Sequence, residues 1–214
     1  MSEKRVSMLL VGVGGQGLLT SARILGDAAH AAGQPVVVGQ LHGMSQRGGS
    51  VECSVLFGPG QSSYLSRADV VVGFEPLETL RALPRMRQET KVLVNSGQFV
   101  LPTLVRDKKP YPPLTSILAD IREVAKEVVV IDGPSALTKV GSLRTINIFM
   151  LGALVSRGLL PFDRAILWTA VERRCSPGLL EANRTAFALG CSSINNSEPE
   201  SKGCRVPSQG LDRA

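Results

Sequence analysis

A nearly continuous apolar run, Val6 to Val11, stops at Gly12-Val13-Gly14-Gly15-Gln16-Gly17 and gives way to the alanine-rich stretch Leu18 to Ala32. No other part of the chain constrains the fold as strongly. An apolar run without alternation reads as a strand buried on both faces, and such strands belong to parallel sheets covered by helices. The stretch after the glycines favours helix and ends at Gly33, a residue suited to a helix C-terminus. Pro35 then precedes a second β-branched run, Val36 to Val38. Together these predict a Rossmann-like β-loop-α-β unit of about 35 residues.

The alternation continues. Leu41 to Ser50 holds three glycines without a period and reads as a loop. Val51 to Phe57, Ala68 to Phe74, Lys91 to Val94 and Val128 to Ile131 read as strands. Helices are expected from Leu77, over Leu114 to Lys126, and then over Leu143 to Arg157, Arg164 to Arg173 and Leu179 to Leu189. The fold class is therefore α/β: a doubly wound, mostly parallel sheet with a helical C-terminal third. One domain is expected over residues 1–190. Residues 191–214 are rich in Ser, Asn, Pro and Gly with almost no apolar period, and read as a disordered tail.

Gly12 to Gly17 fits G-x-G-x-x-G in the strand-to-helix setting that the motif needs. Gly12, Gly14, Gly15 and Gly17 permit a tight turn, and the helix start offers free N–H groups to an anion. Two explanations stand side by side: a phosphate-bearing ligand, or a turn that only packs closely. A dinucleotide site further requires a carboxylate about 20 residues on, to hold the ribose. No Asp or Glu occurs between Asp27 and Glu52. The second unusual segment is His42-Gly43-Met44-Ser45-Gln46-Arg47-Gly48-Gly49-Ser50-Val51. Arg47 beside two glycines can hold a carboxylate or phosphate, and equally can make a structural ion pair.

Composition excludes several classes. The 214 residues carry 43% apolar side chains, too many for a disordered chain. Cys53, Cys175, Cys191 and Cys204 are 122, 16 and 13 residues apart, so no CxxC occurs. The chain alone then offers no usual iron–sulfur or zinc pattern, and free thiols in a reducing compartment are expected. The longest apolar stretch, Ile148 to Val155, falls well short of the roughly 20 residues that span a bilayer. No leader is recognised at Met1 to Arg5. These readings predict a cytoplasmic protein with no membrane contact. The net charge of +6 is concentrated in residues 81–109. Only Phe99 is aromatic there, so a solvated face or an acidic partner is favoured over nucleic acid.

GVGGQG on the first strand-to-helix turn, followed by HGMSQRGGSV, resembles the gamma domain of 2-oxoacid:ferredoxin oxidoreductases, most of all the beta subunit of the indolepyruvate type. Gly73-Phe74-Glu75-Pro76, Val94-Asn95-Ser96, Tyr111-Pro112, Gly141 to Asn147, Leu151-Gly152-Ala153-Leu154 and Asn183 to Gly190 extend the similarity. It covers about residues 4 to 190. The resemblance implies a small subunit that works with a large alpha subunit. That subunit would carry thiamine diphosphate and [4Fe-4S] clusters and pass electrons to ferredoxin. An aryl pyruvate would be oxidatively decarboxylated to an acyl-CoA, with CoA as co-substrate. No catalytic residue or bound cofactor is assigned to this chain. Gly12, Gly14, Gly15, Gln16, Gly17, Gln46, Arg47, Gly48, Gly49 and Ser50 are expected to face ligand or partner. A stand-alone nucleotide-binding oxidoreductase and a non-catalytic interaction module are the alternatives. His42 reads as a general base or a structural histidine. Glu75 and Asp132, each at a strand end, could face the same crevice or cap the helices that follow.

Overall fold

Six β-branched runs pair into one sheet, and the helices between them cover both faces. The computed structural model describes residues 5–42, 49–60, 65–98 and 110–193. In chain order the elements are β1 (Val6–Val13), α1 (Leu18–Ala31), β2 (Val36–His42), β3 (Ser50–Phe57), β4 (Val70–Gly73), α2 (Pro76–Arg81), β5 (Lys91–Asn95), α3 (Leu114–Val124), β6 (Glu127–Ile131), α4 (Gly133–Leu137), α5 (Ile146–Ser156), α6 (Arg164–Arg174) and α7 (Leu180–Ser192). The sheet order is β2-β3-β1-β4-β5-β6. β1, β4, β5 and β6 are parallel neighbours, while β3 runs antiparallel to both β1 and β2. The sheet is thus mixed, with a parallel wing and an antiparallel wing that meet at β1.

Burial on both faces follows from the pleat. Met8 and Leu10 point to the layer holding α1, α5, α6 and α7, with Ile24, Leu25, Phe149 and Leu167 among its buried residues. Leu9, Val11 and Val13 point to the opposite layer, where Leu77 of α2 and Ile117 and Ile121 of α3 meet them. Successive β1 side chains therefore serve two cores, and this is why the run lacks alternation. Each such buried aliphatic side chain contributes about 1.5–3 kcal/mol relative to exposure.

The expected strands and helices are present, with shifted ends. Leu41 and His42 belong to β2 and Ser50 to β3, so the loop expected over 41–50 shortens to a hairpin connection, residues 43–49. α5 begins at Ile146, after a 3-10 turn over Leu143–Thr145. α4 is a short extra helix that the sequence reading did not separate from its capping signal. α7 continues to Ser192, and residues 194–214 of the expected tail lie outside the described residues. α5 is buried from Ile146 to Leu154 and crosses α7 with little between the two backbones. Among the described residues, no helix is long and apolar enough to cross a membrane.

The base of β4 is pinned by charge. Asp69 Oδ2 accepts from the Ser7 N–H at 2.8 Å and the Ser7 hydroxyl at 2.7 Å, and Oδ1 takes the Arg87 guanidinium. Burial alone would raise the Asp69 carboxyl; the Ser7 bonds and Arg87 hold it below its usual value. A carboxylate depressed on folding stabilises above its unfolded pKa of about 3.9 and loses that contribution as pH falls through the folded value. Urea unfolding of Asp69→Asn and the parent should therefore differ near neutrality and converge in acid. A gap that widens on acidification would contradict this assignment.

Candidate functional site

The carboxyl ends of the parallel strands form a rim, and one string of hydrogen bonds runs along it. Gln16 Oε1 accepts from the Val13 N–H at 2.8 Å, and its Nε2 donates to the Phe74 carbonyl at 3.2 Å. Asn95 Nδ2 donates to that same carbonyl at 3.1 Å, and its Oδ1 accepts from the Gly133 N–H at 3.0 Å. Two carboxamides thereby tie the ends of β1, β4 and β5 to the start of α4. Both ends of the Gln16 amide are spent on backbone. Its role is to hold the glycine turn closed, and the backbone of the turn is left as the surface.

The glycines divide by cause. A Cβ on Gly12 would lie 2.6 Å from Gln16 Oε1 and 2.8 Å from Phe74 Cβ, so close packing excludes a side chain. Gly15 and Gly17 sit at φ +104° and +81°, where L side chains are strained. Gly15 is exposed, and Gly17 abuts the side chain of Asn147 at the start of α5. The first bond of α1 runs from the Ser21 N–H to the Gly17 carbonyl. The N–H groups of Leu18, Leu19 and Thr20 therefore stand outside the helix ladder.

The antiparallel wing brings the second segment to the same place. Val13 pairs with Ser50, and the Gly14 N–H donates to the Gly49 carbonyl at 2.8 Å. Gly12, Gly14, Gly15, Gln16, Gly17, Gly49 and Ser50 are thus one cluster. Gln46, Arg47, Gly48 and the side chain of His42 lie outside the described residues.

Glu75 and Asp132 do not form a pair across the crevice. Glu75 is fully buried, and its Oε2 accepts from the Glu78 N–H at 2.9 Å, capping α2. Asp132 Oδ1 accepts from the Ser135 N–H at 3.1 Å, capping α4. The structure thus favours the capping reading for both. Tyr111 donates its hydroxyl to Glu75 Oε1 and accepts from the Leu77 N–H at 3.2 Å. Burial, and then the Glu75 carboxylate, push this phenol above its ordinary pKa, so it stays a proton donor. Asn95, Tyr111 and Asn147 belong to this rim, and sequence reasoning did not place them there. Asn95-Ser96-Gly97 reads as a strand stop, and that signal hides a bridging amide.

Among the described residues, no three His, Cys, Asp or Glu side chains gather as a metal site. Cys53 lies buried in mid-β3 with its thiol pushed up to about 11 by burial, which does not fit a cluster ligand. Among the described residues of the basic segment, Arg81 pairs with Glu78, Arg87 with Asp69 and Glu89, and Lys91 with Glu127, while Arg106, Lys108 and Lys109 lie outside them.

An open sheet wound on both faces, with a glycine turn at the carboxyl end of its first strand, defines an α/β protein of the class that places ligands at strand ends. Residues 7–193 match the family described as pyruvate ferredoxin/flavodoxin oxidoreductase, and the chain belongs to that family. The indolepyruvate oxidoreductase subunit IorB of Methanothermobacter thermautotrophicus is 34% identical over 186 residues, covering 86% of this chain and 95% of that one. The gamma subunit of a keto/oxoacid ferredoxin oxidoreductase from Geobacter sulfurreducens superposes with a TM-score of 0.66 at 23% identity, covering 90% of this chain and 99% of that chain. A 2-oxoglutarate:ferredoxin oxidoreductase from Magnetococcus marinus gives 0.71 at 17% identity, covering 97% of this chain and 34% of that one. This chain is accordingly an oxidoreductase subunit.

Proposed function

We propose that the chain is the small subunit of a thiamine-diphosphate-dependent 2-oxoacid:ferredoxin oxidoreductase acting on an aryl pyruvate such as indolepyruvate. The observation that carries this is the Gly14–Gly49 bond. It assembles both glycine segments into one surface on a chain that shares 34% identity with an indolepyruvate oxidoreductase subunit. Thiamine diphosphate on the large alpha subunit would supply the decarboxylation chemistry, and its [4Fe-4S] clusters the path to ferredoxin. This chain contributes backbone donors at Gly15 and the first turn of α1, and its second glycine segment carries the cation Arg47 in sequence. Those groups suit an anionic co-substrate such as CoA, or a carboxylate of the partner. Gln16 and Asn95 act as positioning residues, since they touch backbone only.

Co-expression with the adjoining large subunit tests the reading. Indolepyruvate- and CoA-dependent reduction of a viologen dye should require this chain. Arg47→Ala should lower it by about tenfold or more, with the complex still assembled. Dye reduction that proceeds unchanged without this chain would end the proposal.

The stand-alone nucleotide reading loses support from the topology. In a dinucleotide fold the second strand lies beside the first and brings its acid to the ribose. Here β3 separates β2 from β1, and β2 ends without a carboxylate.

A further inference from the structure

A cavity of about 300 Å³ lies beside the first turns of α1, between the starts of α5 and α7 and the end of α6. That is the lower end of the size range of ligand pockets. Ile24, Ile148, Val171 and Leu179 give it an apolar wall, and no Asp or Glu lines it. Leu179 is 51% exposed although it is a large aliphatic residue. Two arginines reach the cavity. Arg174 is neutralised by Asp27, whereas Arg144 has no ion pair among the described residues.

The second observation is Asn147. Its side chain lines the cavity and is only 8% exposed, yet among the described residues it makes no hydrogen bond. Two neighbouring polar side chains of the wall are engaged within the chain: Thr145 Oγ1 donates to the Ser142 carbonyl at 2.9 Å, and Asn183 Nδ2 donates to Cys175 Sγ at 2.6 Å. The Asn147 amide atoms are not sealed off, so they are open to bond whatever enters the cavity. A cation without a counter-ion beside it narrows what that is.

We propose that this cavity binds a small organic monocarboxylate, its apolar body on Ile24, Ile148 and Val171 and its carboxylate between Arg144 and Asn147. Guanidinium and carboxamide N–H groups both donate to carboxylate oxygens, and the apolar wall disfavours a fully hydrated inorganic anion. The cavity lies behind the strand-end rim and shares Asn147 with it, since that side chain abuts Gly17. A ligand seated here would therefore abut the glycine turn from behind.

The test is a titration of the full 214-residue chain with benzoate, benzamide and inorganic phosphate, followed by amide and side-chain NMR. Benzoate should move the Asn147 side-chain signals saturably below ~10 mM, and benzamide and phosphate should be at least about tenfold weaker. Arg144→Gln should weaken benzoate by about tenfold at unchanged Tm, since that side chain is exposed and unpaired. Absence of saturation, equal binding of benzamide or phosphate, or full affinity in Arg144→Gln would each overturn the proposal.

Discussion

Gly152→Ala and Gly190→Ala, made singly, are expected to cost about 3 kcal/mol or more, enough to leave much of the chain unfolded at ordinary temperature. A Cβ at Gly152 would stand 2.2 Å from the Phe187 carbonyl oxygen, and one at Gly190 would stand 2.0 Å from that of Phe149. Both obstacles are backbone, so no rotamer change relieves them. α5 and α7 would have to separate, opening the layer that holds Phe149 and Phe187. Gly178→Ala is the control, because nothing lies within 4 Å of a Cβ there and its φ is ordinary. Urea midpoints should fall steeply for the first two variants and hold for the third. Parent-like midpoints in all three would show that the helices do not meet backbone to backbone.

Asn95→Ala carries the second large effect. Asn95 is 3% exposed and satisfies two backbone groups, the Phe74 carbonyl and the Gly133 N–H. Alanine leaves both without this partner and removes buried volume, a loss of about 2–4 kcal/mol. Asn95→Asp should be less damaging to the Gly133 contact, since the carboxylate still accepts, but it cannot donate to Phe74. Unfolding free energies ranked parent, Asp, Ala would support the bridge. A neutral Asn95→Ala would remove it from the account of the rim.

The parallel wing was legible because β1, β4 and β5 are largely buried runs, and burial on both faces leaves a direct mark on composition, while the half-buried edge strand β6 is marked by its β-branched run. The place of β3 was not. Its residues announce a strand, but a strand's neighbour depends on pairing between distant segments, and Val13 opposite Ser50 has no local signature. The glycine turn was legible as a turn. Gln16, which reads as a group free to face a ligand, is instead engaged at both ends. In the positive patch counted over residues 81–109, the described residues Arg81, Arg87 and Lys91 are likewise engaged in ion pairs. Sequence reveals which groups are available, and only three-dimensional proximity reveals which are already taken.

The reversal of β3 has an evolutionary side. The segment bearing Gln46, Arg47 and Gly48 joins neighbouring antiparallel strands, so its two ends stay anchored by the ladder from Val36–Phe57 to His42–Val51 whatever lies between them. Doubling such a connection costs only about 0.6 kcal/mol in closure entropy. Lineages can therefore lengthen, shorten or rewrite this segment while the sheet and the first glycine turn stay as they are. The connection is thus an exchangeable part of the fold, and grafting it between relatives would measure how far the sheet tolerates its replacement.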